Sequence, residues 1–347
     1  MQPWPTSTRC TLVFPRIHSG LMRAMSEPSP NCGGGSRSPT VARTSAPPSV
    51  KRPGRRRAKQ LRRLFLPAVF IGPALVPLAV FRVWPVIEAA RLSFTDWTGI
   101  NHPRNIGLAN YRELWVDENF RTVIFTNLKI VAAVPAFVLI PLAVAMILQT
   151  RIPAWRFFRS IFFFPALLSP IVTGAAFELV LTDGGTLNSL LKVTGLGFLR
   201  HSWLTDPNTA IAWVIIIVAW SLIGTGTVVF LGAMGAIDRE LLDAARVDGA
   251  SWSRVQRDVV FWQLIPIIEL WTILVMIACF AALLPLVLTL TNGGPGYSTY
   301  TADFYIYQQA FTLFRSGYAS AVSVAVFALT VVFLSIVSLI FRKARRT

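Results

Sequence analysis

AIAWVIIIVAWSLIGTGTVVFLGAMGA, residues 210–236, runs without one charged side chain. At 1.5 Å of rise per residue, about 20 helical residues cross the roughly 30 Å of hydrocarbon in a bilayer. This block is longer than that, and too long for an ordinary globular core segment. After Ile237 the chain changes character: DRELLDAARVDGASWSRVQRD, residues 238–258, carries charge at nearly every turn and small residues at Ala244, Ala245 and Gly249. A spanning helix followed by a polar, jointed segment sets the plan of the whole molecule. The fold class is all-α, a polytopic membrane protein.

Similar blocks recur on both sides. They place further spans at about Leu64–Val83, Val123–Leu148, Phe157–Leu181, Leu264–Leu290 and Ala319–Phe341, six in all with residues 210–236. Over the whole chain 54% of residues are hydrophobic and 14% charged, which excludes a disordered protein and argues against a water-soluble domain. The net charge of +17 invites a nucleic-acid reading. Its distribution argues against one: the excess gathers at Lys51–Arg63 and at Arg342–Arg346, flanking apolar spans, and no aromatic-interleaved soluble domain goes with it. Basic residues so placed orient spans and meet anionic lipid, so the partners include the bilayer and exclude nucleic acid.

Residues 1–60 are rich in Pro, Ser, Gly and Arg and read as a disordered basic tail, with a start downstream of Met1, near Met22 or Met25, left open. The remaining organisation is a first span with its loop over 61–122, a five-helix unit over 123–341 and a basic end at 342–347. The loops after spans two and four carry Arg151, Arg156, Arg159, Arg239, Arg246, Arg254 and Arg257, whereas the first loop carries Asp96, Glu113, Asp117 and Glu118. Both termini are therefore expected on the cytoplasmic side of the cell membrane. Cys10 and Cys32 lie in the tail and Cys279 in a span, where it reads as a small hydrophobe. Pro135, Pro141, Pro165, Pro170, Gly174, Pro266 and Pro285 interrupt the spans and read first as packing kinks, second as hinges.

Within residues 238–258 the pattern is two short helices with a sharp joint. Asp238 is placed to cap the first, Gly249 to end it in a left-handed conformation, and Ser251 to cap the second. Trp252, Val255, Val259 and Trp262 form one apolar stripe on that second helix. The tract Leu242-Asp-Ala-Ala-Arg-Val-Asp-Gly-Ala250 resembles the Glu-Ala-Ala signature of permeases in ATP-binding-cassette importers, with Asp243 where that family has Glu. The resemblance implies the transmembrane domain of a type I importer, in which Asp243, Ala244, Ala245, Asp248, Gly249 and Ala250 form the helix that docks into the ATPase.

Thr291-Asn-Gly-Gly-Pro-Gly296, Phe304–Phe311, Gly317–Ala321, Leu108-Ala-Asn-Tyr111 and Trp203-Leu-Thr-Asp-Pro207 resemble the carbohydrate-uptake branch, related to maltose and glycerol-3-phosphate systems. That branch implies a second permease subunit, an ATPase dimer, an extracytoplasmic solute-binding protein and a sugar-like cargo. Asn127, Trp220, Asn292, Tyr305 and Gln308 are candidates for lining a sugar path, since sugars offer hydroxyls to amides and apolar faces to rings. Each is also a candidate for ordinary interhelical bonding. Glu178 and Glu269 fall near span ends, and Glu269 is within reach of an arginine such as Arg257.

Two other classes fit the sequence less well. An ion-driven secondary transporter calls for mid-span carboxylates and inverted repeats, and neither is evident. A membrane enzyme calls for a metal or nucleophile arrangement, but His18, His102 and His201 fall in the tail or loops with no HExxH pairing. The chain has no GxxxxGK[ST] phosphate loop, so no cofactor is expected on it, and ATP belongs to a partner.

Overall fold

A computed structural model describes residues 71–150 and 155–345. The tail 1–60 with Cys10 and Cys32, the start of the first span, Arg151 and Arg346 lie outside the described residues. Their regular elements are helices, apart from one isolated antiparallel bridge between Thr95 and Asn105. In chain order they form α1 Ile71–Leu92, α2 Ala109–Val116 and α3 Glu118–Gln149. Next come α4 Trp155–Phe163 with a 3-10 turn Phe164–Leu167, α5 Pro170–Leu181 and α6 Thr186–Val193. Then follow α7 Pro207–Gly235, α8 Arg239–Val247 and α9 Trp252–Ala281. Last are α10 Leu284–Leu290, α11 Ala302–Tyr307 and α12 Ser316–Ala344.

Five of these (α1, α3, α7, α9 and α12) are long and apolar enough to cross a membrane. The bent pair Phe157–Leu167 and Pro170–Val193 makes a sixth crossing if taken as one span. The core sits where α3, α7 and α9 meet, around Ile130, Phe137, Val214, Ile217, Phe230, Trp271 and Val275. α5 packs on α10, and α12 lies between α9 and α1.

Two details explain why α3, α7 and α9 approach so closely. Pro141 lies inside α3 and has no N–H to give to the carbonyl of Phe137, four residues earlier. That carbonyl instead accepts from the indole Nε1 of Trp271 on α9, at 3.2 Å. Gly226 of α7 faces the same place: a Cβ there would lie 2.7 Å from Pro141 Cβ and 2.9 Å from Trp271 Cζ2. Only hydrogen fits.

Three sequence expectations change. The first span continues past Trp84-Pro85 to Leu92, because the wide turn Ala79–Val83, in which the Trp84 N–H reaches Ala79 O, carries the helix through the proline. The third is not one rod. Its halves meet at 99°, because Leu168 and Ser169 are extended before Pro170, as a residue preceding proline prefers. The fifth ends at Ala281, and α10 restarts as a separate short helix with Pro285 in its first turn. Asp303 Oδ2 accepts from the N–H groups of Leu283 and Leu284 at 2.7 and 2.6 Å, supplying the orphan donors of α10 with an acceptor.

Candidate functional site

The segment between α7 and α9 forms a bent element. Asp238 Oδ1 accepts from the Glu240 N–H at 3.0 Å, the capping role its position implied. α8 ends as its sequence asks: Gly249 has φ +76°, and the Ala250 N–H turns back to Ala245 O at 3.1 Å, six residues enclosed as in a Schellman motif. No atom lies within 4 Å of where a Gly249 Cβ would stand, so the glycine is required by the backbone angle and not by crowding.

The element is two-sided. Leu242, Ala245 and Ala250 pack against the core, whereas Asp243, Ala244, Asp248 and Gly249 are exposed. Around them Leu241, Val247 and Trp252 are exposed by 41%, 87% and 52%. Of the six residues singled out for docking, Asp243, Ala244, Asp248 and Gly249 therefore lie on the outward side, with apolar area beside them, and Ala245 and Ala250 on the packed side.

The second half differs from expectation. Ser251 stands at the start of α9 without capping it; its hydroxyl lies 3.2 Å from that of Ser253. The following helix is not short but is the first part of α9. A wide turn at Gln256–Val260 inserts a residue, so the buried positions become Val255, Val260 and Leu264. Trp252 and Trp262 are turned outward. Periodicity alone gives no sign of such an insertion.

The candidates for a sugar path separate into different environments. Asn127 is fully buried, donating to Cys279 O at 3.3 Å and accepting from the Ala302 N–H at 3.0 Å, so its amide ties α3, α9 and α11 together. Tyr305 is buried, and its hydroxyl donates to Asp117 Oδ2 at 2.6 Å. Gln308 accepts from the Tyr300 hydroxyl. Trp220 stacks edge-on against Phe177, ring centres 5.4 Å apart, and Asn292 is exposed in a left-handed turn with φ 47°. Tyr305 and Gln308 share one segment, whereas Asn127, Trp220 and Asn292 stand on separate elements. Glu269 pairs with Arg345 and not with Arg257, which bonds its neighbour Asp258 at 2.7 Å.

Sequence reasoning missed a polar clamp at the opposite end of the bundle. Asp117 caps α3 through the Asn119 N–H at 2.9 Å and accepts from both the Tyr305 and Tyr318 hydroxyls, the latter at 2.5 Å. Burial pushes its carboxyl pKa up, but the hydrogen bonds from the two tyrosines and the backbone outweigh this and hold it below the ordinary value. Beside it Arg315 pairs with Glu113 at 2.6 Å and covers the Tyr318 ring at 4.5 Å. The short motifs prove to be parts of this end. Asn110 donates to Ser93 O and Thr95 O at 2.8 and 2.9 Å, and the Gly317 N–H reaches Trp97 O at 2.7 Å. Asp206 caps α7 through the Thr209 N–H at 3.2 Å. The available signal was Tyr318 in the quoted motif together with acidic residues in the first loop.

The described residues thus form up to six candidate spans interrupted by an exposed, bent, two-sided helix. Residues 106–346 match the family described as binding-protein-dependent transport system inner membrane component, and the chain belongs to that family. It is 32% identical to a probable ABC transporter permease protein, PH1215, of Pyrococcus horikoshii, over 74% of this chain and 88% of that one. Over 75% of the chain and 88% of the relative it is 31% identical to a probable starch degradation products transport system permease protein, AmyD, of Thermoanaerobacterium thermosulfurigenes. The lactose transport system permease protein LacF of Rhizobium radiobacter is 31% identical, over 74% of this chain and 87% of that one. Among solved structures, a bacterial alginate ABC transporter in complex with an alginate pentasaccharide-bound periplasmic protein superposes with a TM-score of 0.71. It has 19% identity and covers 83% of this chain and 98% of its own.

Proposed function

We propose that this chain is one of two permease subunits of a sugar importer, driven by a separate ATPase dimer and supplied by an extracytoplasmic solute-binding protein. The observation that carries the reading is the bent element itself. Its inner side is fixed to the core through Leu242 and Ala245, and its outer side leaves Leu241, Val247 and Trp252 uncovered. An apolar knob packed on the core and joined directly to two spanning helices is suited to enter a groove of a moving partner. ATP is bound and cleaved by that partner, and this chain performs no chemistry of its own. Motion of the docked element would rock α7 and α9 with the bundle and switch access between the two sides. α8 and both termini then lie in the cytoplasm, in keeping with the arginine-rich loops. The names of the relatives, which concern starch products and lactose, support a saccharide cargo.

The test is site-directed crosslinking in the assembled complex. A Val247→Cys variant, labelled with a maleimide that carries a photoreactive benzophenone and then irradiated, is expected to join this chain to the ATPase subunit. Absence of that product, together with saccharide uptake that persists without the ATPase, would remove the proposal. Uptake of a panel of labelled oligosaccharides by the intact system then identifies the cargo.

A further inference from the structure

Between α5 and α7 the chain leaves apolar area uncovered. α6 gives way to Gly195, with φ +77°, and a 3-10 turn Gly197–Leu199 follows. Leu190, Leu196 and Leu199 are exposed, and Val193 and Phe198 more so, at 85% and 80%. The segment is nevertheless held in shape. Asn188 is buried: its amide donates to Asp183 O at 3.2 Å and to His201 O at 2.9 Å, and its carbonyl accepts from the indole Nε1 of Trp203 at 3.0 Å. Leu187 and Trp203 pack against the core. The apolar side chains are thus presented on a fixed frame.

The charge on this segment has one sign. From Gly184 to Thr205 the sequence carries Lys192, Arg200 and His201 and no acidic residue. Lys192 and Arg200 are exposed, and among the described residues no ion pair engages either. Its depth follows from α7, which starts just after it and ends beside α8. The 29 residues of α7 rise about 43 Å, against roughly 40–45 Å for a bilayer with its headgroups. With α8 at one water boundary, Pro207 and the segment before it stand at the headgroup level of the other.

We propose that α6 and the turn after it lie in the outer leaflet of the membrane. Leu190, Val193 and Phe198 enter the boundary between headgroups and acyl chains, and Lys192 and Arg200 meet the lipid phosphates. Open apolar area beside unpaired cations, with no carboxylate near in sequence, is the pattern of a surface that faces anionic headgroups. Lipid is always present. A protein partner that comes and goes would leave Val193 and Phe198 in water between encounters. The choice of the outer leaflet rests on the reading of α8 as cytoplasmic; the contact with lipid does not. Because the segment joins α5 to α7, its attachment holds those two helix ends at one depth while α8 moves at the other.

The test uses the whole complex in liposomes of phosphatidylcholine and phosphatidylglycerol, with the fluorescent amino acid Anap encoded in place of Phe198. Phospholipids that carry a nitroxide near the headgroup are expected to quench it about threefold more than those with the nitroxide at the chain end. Aqueous iodide should quench it little. Anap in place of Val193 gives the same reading should position 198 disturb assembly. Phosphatidylglycerol is expected to strengthen the lipid quenching over phosphatidylcholine alone, and Lys192→Gln with Arg200→Gln to abolish that gain. Quenching by iodide instead of lipid, or protection that arises only when the loaded binding protein is added, overturns the inference. So does a probe silent to both quenchers, because another subunit then covers it, and a double variant that keeps the gain overturns the phosphate contact. Gly184→Cys, where no atom lies within 4 Å of the added Cβ, tests the side. A membrane-impermeant maleimide is expected to label it in intact spheroplasts and to leave the wild-type chain unlabelled. Without that labelling the outer-leaflet assignment and the reading of α8 as cytoplasmic fail, whereas lipid quenching at position 198 tests the lipid contact by itself.

Discussion

Replacing Gly249 tests whether the bent element acts through its backbone shape. Its φ of +76° lies where residues with a Cβ are disfavoured, and the space around the missing Cβ is open within the chain. A substitution therefore acts through conformation rather than collision. Placing alanine in the left-handed region costs roughly 1–2 kcal/mol, which lowers the population of the bent form about 5- to 30-fold. Valine, branched at Cβ, is worse, while asparagine tolerates the region well. The expected order of coupled activity is Gly, then Asn, then Ala, then Val. The assay is ATP hydrolysis by the reconstituted complex with and without its loaded binding protein, beside immunoblots showing unchanged membrane insertion. If Asn were as damaging as Val, side-chain bulk in the docking groove would be the cause and the backbone argument would be wrong. Wild-type coupling in the valine variant would remove any need for the bend.

Three further outcomes follow from the packing. Trp271→Phe keeps an aromatic ring but leaves the Phe137 carbonyl, already deprived by Pro141, without a donor; a loss of about 1–3 kcal/mol is expected, read as a lower melting temperature of the detergent-solubilised chain. Asp303→Ala strips the acceptor from Leu283 and Leu284, and hydrogen exchange at those two amides should accelerate while the middle of α9 stays protected. The Asp117 clamp fixes a pH dependence. Its folded pKa lies below the unfolded value near 4, so its contribution is present above that value and is lost as pH falls through the lowered folded one. Melting of the purified chain across the acid range should show this loss. Tyr305→Phe with Tyr318→Phe should weaken it, and an unchanged profile would show that the hydroxyls do not hold the carboxylate.

The path of the backbone through the membrane was largely a matter of sequence. Uncharged blocks of spanning length such as residues 210–236 have one stable solution in hydrocarbon, a helix with its backbone groups paired internally. The bent element was legible for a similar reason: Asp238 and Gly249 act through local geometry that neighbouring residues decide. Tertiary structure alone settled where helices break and which side faces the core. Leu264–Leu290 carries its one charge at Glu269, far from the break, and its interruption at Ala282 depends on Asp303 bonding the freed N–H groups from a distant helix. The shift from Val259 to Val260 comes from one inserted residue in a turn, which leaves hydropathy unchanged. Asn127 had two readings in sequence, path or interhelical bond, and only the positions of Cys279 and Ala302 reveal where its amide is engaged. Local chemistry can be read along a chain, but the partner of a polar group a hundred residues away cannot, because folding and not spacing brings the two together.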